Sequence, residues 1–466
     1  MKTPLKWIIG AGSVVLAAGL IVWVAASKDG STPNPAVSSL PRYALTVGQE
    51  LIYEGAMTSK FSGGAFHYAD RTELWIVRQN AGGGWHIVAH GKLTMTRTND
   101  RGETRPEHGE DVLDSFELFP DGRVAGLHDD VRGQRLLAPF FRLPADAAAG
   151  QHGWAADEAG GEKSIFRFLP LTLFDAGVSV IEKTDTSLLN DVYLATSKAV
   201  GRFDHSRGLF VEINSEYSQG WGGFAGTGSG TSKLKSLTTR SPAWIEQLAR
   251  ESEQFIRTRQ TVGDTLAAIR KSPQPAATIA TAEQALLAGQ KACTLPLVSE
   301  QFATQLTQLR DSAKYYLEDN QSQAAVLNQP SPAWETTDLD GAKHSLAGYR
   351  GKVVVLDFWY RGCGWCIRAM PQIKEVAEHF RGRPVAVLGM NTDRVEEDAR
   401  FVMKKLALNY PTLKAIGLPE KYGVHGFPTL LVIDQRGMIR EFHVGYSPTL
   451  REHLIKTIDG LLADGS

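Results

Sequence analysis

The 466-residue chain carries 50 basic and 51 acidic side chains, a formal net charge of −1. That length exceeds what one hydrophobic core usually supports, so several domains are expected. The charge balance leaves no electropositive footprint for nucleic acid, which is excluded as a partner.

Residues 1–26 are predicted to form a membrane anchor. Lys2 and Lys6 precede an uncharged apolar run from Trp7 to Ala26, long enough as a helix to span roughly 30 Å of hydrocarbon. A cleaved secretory signal is the alternative, with Val24-Ala25-Ala26 as a small-residue cleavage site. The basic residues before the run predict a cytoplasmic N-terminus and soluble domains outside the cytoplasmic membrane, in a periplasmic setting, with residues 7–26 in contact with the lipid bilayer. Residues 27–42, rich in Ser, Pro and Asn, read as a flexible tether.

Residues 43–240 read as a β-rich domain of unassigned role, a curved sheet or partial barrel. In WHIVAHGKLTMTR, Trp85, Ile87, Ala89, Leu93 and Met95 alternate with polar residues, the period of a strand with one wet face. The Gly82-Gly83-Gly84 run suggests a hairpin from the strand Glu73–Arg78, and FPDGRV and FDHSRG supply further turns. SQGWGGFAGTGSGT, residues 218–231, reads as a mobile loop. His86 and His90 would stand about 13 Å apart along one strand, too far to share a metal, and are read as solvent-facing; no metal site is expected.

The period changes at Ser241. Ile245, Leu248, Phe255 and Val262, then Phe302, Leu306, Leu309 and Ala313, recur at helical spacing. SPQPA and TLP break residues 241–327 into about three helices, read as a helical connector.

Residues 328–466 hold two of the three cysteines, in LDFWYRGCGWCIRAMP, Leu356 to Pro371. Zinc normally takes four protein ligands in a structural site or three in a catalytic one, and only Cys293 remains as a third thiolate. A disulfide closing so short a loop stabilises little. The flanks favour redox chemistry. GKVVVLDFW is an apolar run of the kind buried in a central sheet, and IRAMPQIKEVAEHF is an amphipathic helix. Cys363 then sits where unpaired N–H groups and the helix dipole stabilise a thiolate, making it the expected nucleophile, with Cys366 as the resolving thiol. Cys293 is read as a buried or unpaired thiol at a helix end.

Residues 330–462 resemble a thioredoxin-fold domain of the membrane-anchored subgroup related to TlpA and ResA. LDFWYRGCGWCIRAMP matches its active site through Asp357, Phe358, Trp359, both cysteines and Pro371, and YGVHGFPTLLVID matches its cis-proline segment. GMNTDRVEEDARFVMKKLALNYPTL matches its strand-and-helix insertion. Together with the readings above, the chain is expected to be multidomain: an N-terminal transmembrane helix, a β-rich domain, a helical connector and a C-terminal α/β thioredoxin fold, the resemblance covering about 130 residues of the last. The resemblance implies a CGWC thiol–disulfide oxidoreductase that exchanges disulfides with protein partners, using the Cys363–Cys366 disulfide and no cofactor. Asp357 would take the proton from Cys366, and Pro428 in cis would bring Phe427 beside the disulfide, with Phe427 and Trp365 as an apolar rim for substrate. The upstream electron donor is unassigned. Gly364-Trp365 between the cysteines and Gly362 before them depart from the subgroup's commoner residues. The alternatives are a thiol peroxidase with antioxidant activity, disfavoured because Tyr360 stands where those relatives have Thr, and an envelope binding or scaffold protein with a subordinate redox domain.

Overall fold

The computed structural model describes residues 40–464 apart from 62, 128–130, 159–162, 171–176, 190–192, 222–223 and 270–274. The predicted anchor, residues 1–26, and the tether as far as residue 39 lie outside the described residues. Among those described, no helix is long and apolar enough to cross a membrane. The chain divides into two compact units. The first takes the residues up to Leu189 with Tyr193–Thr265 and Ala280–Leu309, and the second takes Arg310 onward with Leu266–Ile279.

The first unit is built on antiparallel strands β1 (Gln49–Phe61), β2 (Gly64–Gln79), β3 (Trp85–Asn99), β4 (Thr104–Leu118) and β5 (Val124–Ala125). After two short helices, α1 (Val131–Gln134) and α2 (Ala147–His152), come β6 (Trp154–Asp157), β7 (Lys163–Phe168), β8 (Val178–Leu189), β9 (Tyr193–Asp204), β10 (Leu209–Trp221) and β11 (Phe224–Thr239). They form one sheet in the order β5-β4-β3-β2-β1-β11-β10-β9-β8-β7-β6. Tyr53, Ile87 and Phe116 from one half of that order share a core with Phe166, Phe203 and Phe210 from the other, so the sheet curls around its own apolar face. Two tyrosines bind that core to backbone: Tyr53 donates to Phe210 O at 2.6 Å and Tyr43 to Phe141 O at 3.1 Å.

The expected hairpins form at FPDGRV, where Gly122 N donates to Phe119 O at 2.8 Å, and at FDHSRG, where Gly208 N donates to Asp204 O at 2.8 Å. The loop expected over 218–231 is instead strand on both sides of residues 222–223. Gly226, Gly228 and Gly230 of β11 pair with Phe61, Ser59 and Met57 of β1 and with Gln219, Tyr217 and Ser215 of β10. The glycines alternate because neighbouring side chains fill the space beside them: a Cβ on Gly228 would meet the Tyr217 ring at 2.2 Å. Composition suggested a loop, but the period was that of a strand.

The wet face read into β3 is also covered at one end. Val88 is buried along with Trp85, Ile87 and Ala89, because helices pack on the second face. Helices α3 (Pro242–Ile269), α4 (Pro275–Ala292) and α5 (Pro296–Val326) follow the sheet. The Trp244 ring of α3 lies 5.7 Å from that of Trp75. Arg259 of α3 reaches Leu113 O at 2.8 Å and Asp114 Oδ2 at 2.9 Å, and Gln301 of α5 donates to Asp111. His90 is therefore 9% exposed, its ring held by Glu73 at 3.2 Å and Asp111 at 2.8 Å, while half-buried His86 meets Glu117 at 2.9 Å. Neither histidine is the solvent-facing residue the alternation suggested. The helical stretch 241–327 divides between the units, with α5 split after Leu309.

In the second unit a small hairpin, β12 (Glu335–Thr337) with β13 (Lys343–Ser345), precedes β14 (Val353–Trp359). Next come α6 (Gly364–His379), β15 (Val385–Asn391), α7 (Glu396–Leu406), β16 (Thr412–Lys414), β17 (Thr429–Ile433), β18 (Ile439–Val444) and α8 (Leu450–Asp464). The sheet order is β16-β15-β14-β17-β18, with β15 and β16 parallel to the central strand and β17 and β18 completing an antiparallel hairpin. Every residue of β14 is buried, because apolar clusters cover both faces: Leu356 and Phe358 lie in one, Val353 and Val355 in the other. Alternating strand directions bring the end of β14, the start of β17 and the end of β18 to one edge of the sheet.

Candidate active site

At that edge Cys363 and Cys366 are joined in a disulfide, with Cα atoms 5.2 Å apart. Cys363 is the N-cap of α6. It has extended backbone, and its Sγ accepts from the Cys366 N–H at 3.1 Å. The buried strand stops at Trp359, a turn through Tyr360-Arg361-Gly362 reverses the chain, and the sulfur takes the place an N-cap oxygen usually fills. That turn is pinned: Arg361 N donates to Asp393 Oδ2 at 2.9 Å and the Arg361 guanidinium pairs with Asp398. Cys363 is 6% and Cys366 1% exposed; exposed Gly362 and Gly364 flank Cys363, so access is from its side of the pair.

Asp357 lies within β14, opposite Gly389 of β15 and Leu430 of β17. It is 1% exposed, and burial pushes its carboxyl up to about 7 against a smaller opposing pull from the Tyr410 hydroxyl. Tyr410 donates to Oδ2 at 3.4 Å, and Oδ1 has no hydrogen-bond partner among the described residues. Such a group exchanges its proton near neutral pH.

The Phe427–Pro428 peptide is cis. Pro428 is buried and Phe427 partly so, with the Phe427 ring edge-on to Tyr360 at 5.3 Å. Trp365 is 50% exposed; its ring stacks on Tyr446 at 5.7 Å, and the Arg368 guanidinium lies 4.9 Å from the Trp365 ring centre. The sequence singles out Phe427, Pro428 and Trp365, and Tyr360 only as the residue standing where peroxidases have Thr; Arg368, Tyr446 and Tyr410 it does not single out. The i, i+3 spacing of Trp365 and Arg368 on a helix beginning at the cysteines was the readable signal for one of these. Cys293, in the first unit, is a free and half-buried thiol just beyond α4, which burial and then Glu251 push up to about 11. No group of three or more potential metal-ligating side chains occurs among the described residues.

A buried strand ending in a disulfide at a helix N-terminus, with a buried acid on the strand, defines a thioredoxin-like redox domain. Residues 327–442 match the AhpC/TSA family. The thioredoxin-like protein YneN of Bacillus subtilis is 30% identical over 121 residues, 25% of this chain and 71% of that protein. The thiol-disulfide oxidoreductase ResA of Geobacillus thermodenitrificans is 27% identical over 135 residues, 28% of this chain and 78% of that protein. Among solved structures, a thiol:disulfide interchange protein from Bacteroides sp. has 27% identity over 29% of this chain and 91% of that chain, with a TM-score of 0.27. Through its C-terminal domain, the chain belongs to the thioredoxin-like thiol–disulfide oxidoreductases.

Proposed function

We propose that this protein is a membrane-tethered, extracytoplasmic oxidoreductase that exchanges disulfides with protein partners through its CGWC centre. The observation that carries the reading is the Cys363–Cys366 disulfide at the N-terminus of α6. In the reducing direction, the Cys363 thiolate attacks a partner disulfide. One partner sulfur leaves as thiolate and a mixed disulfide forms. Asp357 takes the Cys366 proton. The Cys366 thiolate then attacks Cys363, the second partner sulfur leaves, and the Cys363–Cys366 bond closes. In reverse the same steps oxidise a partner dithiol. In this reading Phe427, Pro428 and Trp365 serve as the substrate rim, supported by the cis Phe427–Pro428 peptide and the exposure of Trp365. No cofactor enters beyond the disulfide. Tethering through residues 7–26 is supported by the apolar run and its flanking lysines.

Insulin-disulfide reduction and peroxide turnover are to be compared for the residues after 26 and for their Cys363→Ser and Cys366→Ser variants. Disulfide turnover abolished by either substitution is expected, with a partner trapped on Cys366→Ser. Absence of turnover in the unsubstituted protein rejects the reading, and turnover of peroxide alone favours the peroxidase.

A further inference from the structure

Tyr410 lies in the connection between α7 and β16 and is 5% exposed. The connection is held beside β15, since Gly389 N donates to Pro411 O at 2.8 Å. Gly389 pairs with Asp357 on one side and Thr412 on the other, so one point in the sheet gathers the strand of the acid, the glycine and the tyrosine's connection. A Cβ on Gly389 would lie 3.0 Å from Thr412 Oγ1, 3.0 Å from Trp359 Nε1 and 3.3 Å from the Tyr410 ring. The missing side chain is what lets these groups close in.

Trp359 Nε1, Thr412 Oγ1 and Asp357 Oδ1 are all buried without a hydrogen-bond partner among the described residues. Asp357 and Trp359, two apart on β14, point to the same face. Among the described residues the side-chain hydrogen bond to this carboxyl comes from Tyr410, on Oδ2 at 3.4 Å. The neighbouring strands present Gly389 and Leu430 in register. On α6 and α8, Lys374 engages Leu406 O, Glu375 pairs with Arg451, Glu378 with Arg381, His453 with Glu441 and Asp459 with Arg383. Cys366 is the titratable group that reduction adds on α6.

We propose that Tyr410 is a positioning residue of the exchange reaction, its hydroxyl orienting the Asp357 carboxylate and setting the pH at which that carboxylate takes the Cys366 proton. The inference rests on Asp357 as the proton acceptor. Tyr410 keeps its own proton throughout, burial and the adjacent acid holding its hydroxyl far above the ordinary tyrosine range. A donor to the charged form favours that form, so losing it leaves Asp357 protonated to higher pH.

The test follows the rate of mixed-disulfide resolution against pH, together with the Asp357 carboxyl titration by infrared difference spectroscopy, in the full chain. Tyr410→Phe keeps the ring and removes the donor. Both inflections are expected to move up together by about half to one pH unit, with the wild-type rate regained at high pH. Incorporating 3-fluorotyrosine at 410, a stronger donor, should move both down and does not depend on Tyr410→Phe folding. An unmoved Asp357 titration in these proteins overturns the inference. The underlying reading fails separately: it falls if Asp357→Asn retains the wild-type pH profile, whereas an inflection lost in Asp357→Asn but unmoved at Tyr410→Phe sinks the role of Tyr410 alone.

Discussion

The sulfur of Cys363 accepts a hydrogen bond from the backbone N–H of Cys366, 3.1 Å away, so the residue that begins the redox helix also caps it. Replacing Cys363 by Ser keeps a capping atom, while Ala removes it. Cys363→Ala is expected to be less stable than Cys363→Ser by about 1 kcal/mol in chemical denaturation under reducing conditions. Equal stability would mean that the sulfur contributes nothing as a cap.

Reduced protein should react unevenly with iodoacetamide. Cys366 is 1% exposed and lies behind Cys363, whose neighbours Gly362 and Gly364 are exposed. Mass spectrometry of the labelled peptide is expected to find Cys363 modified roughly tenfold or more faster, and faster labelling of Cys366 would reverse the assignment of roles.

Stability should carry the signature of Asp357. Its carboxyl is held near 7 in the folded chain by burial and releases its proton near 4 when unfolded. The folded state therefore binds the proton more tightly, and stability falls as pH rises from about 4 to about 7, then levels. Asp357→Asn removes that loss. Urea unfolding of the C-terminal unit should find the variant close to wild type at pH 4 and about 2–4 kcal/mol more stable at pH 8. A difference that does not change with pH would exclude a buried ionising group.

His90 predicts a fall of the same sign, at higher pH, in the first unit. Burial pulls its ring down, but the bonds to Asp111 and Glu73 outweigh burial and hold it up at about 9. Stability from the charged ring is fully present below about 6.5 and is lost as pH rises through 9. His90→Gln should cost about 2–3 kcal/mol at pH 6 and much less at pH 9.5, read from the denaturation midpoint of the β unit.

Gly201 has no room for a side chain. A Cβ there would stand 2.6 Å from the ring of buried Phe210 and 3.0 Å from that of Phe141. Gly201→Ala is expected to cost about 1–3 kcal/mol through displaced core rings, and a thermal midpoint equal to wild type would show that the core has slack.

The redox unit was readable because its signals are local. A buried strand, two cysteines and an amphipathic helix succeed one another within Val353–His379, and the apolar run matches the wholly buried β14. Tyr410 was not readable, since it meets Asp357 from 53 positions away out of a connection with no periodicity. The Gly-rich strands were misread for a related reason. Alternating glycine resembles a linker unless the residues across the sheet are known, and Tyr217 fills the space at Gly228. His90 reads as a wet residue because one strand cannot reveal that α5 will bring Gln301 to the neighbouring Asp111.

The two ends of the large sheet differ from its middle. The outermost strands are β5, with 2 residues, and β6, with 4; β6 pairs with β7 along its whole length, whereas β5 meets β4 only at Glu117 and Leu118. An exposed row of backbone N–H and C=O groups invites another chain to pair with it, and a long flat edge is where aggregation starts. The β6 end offers only 4 residues for such pairing, while the outer side of β4 ahead of Glu117 has no strand beside it among the described residues. At its β6 end the sheet is thereby poorly suited to grow from one molecule into the next.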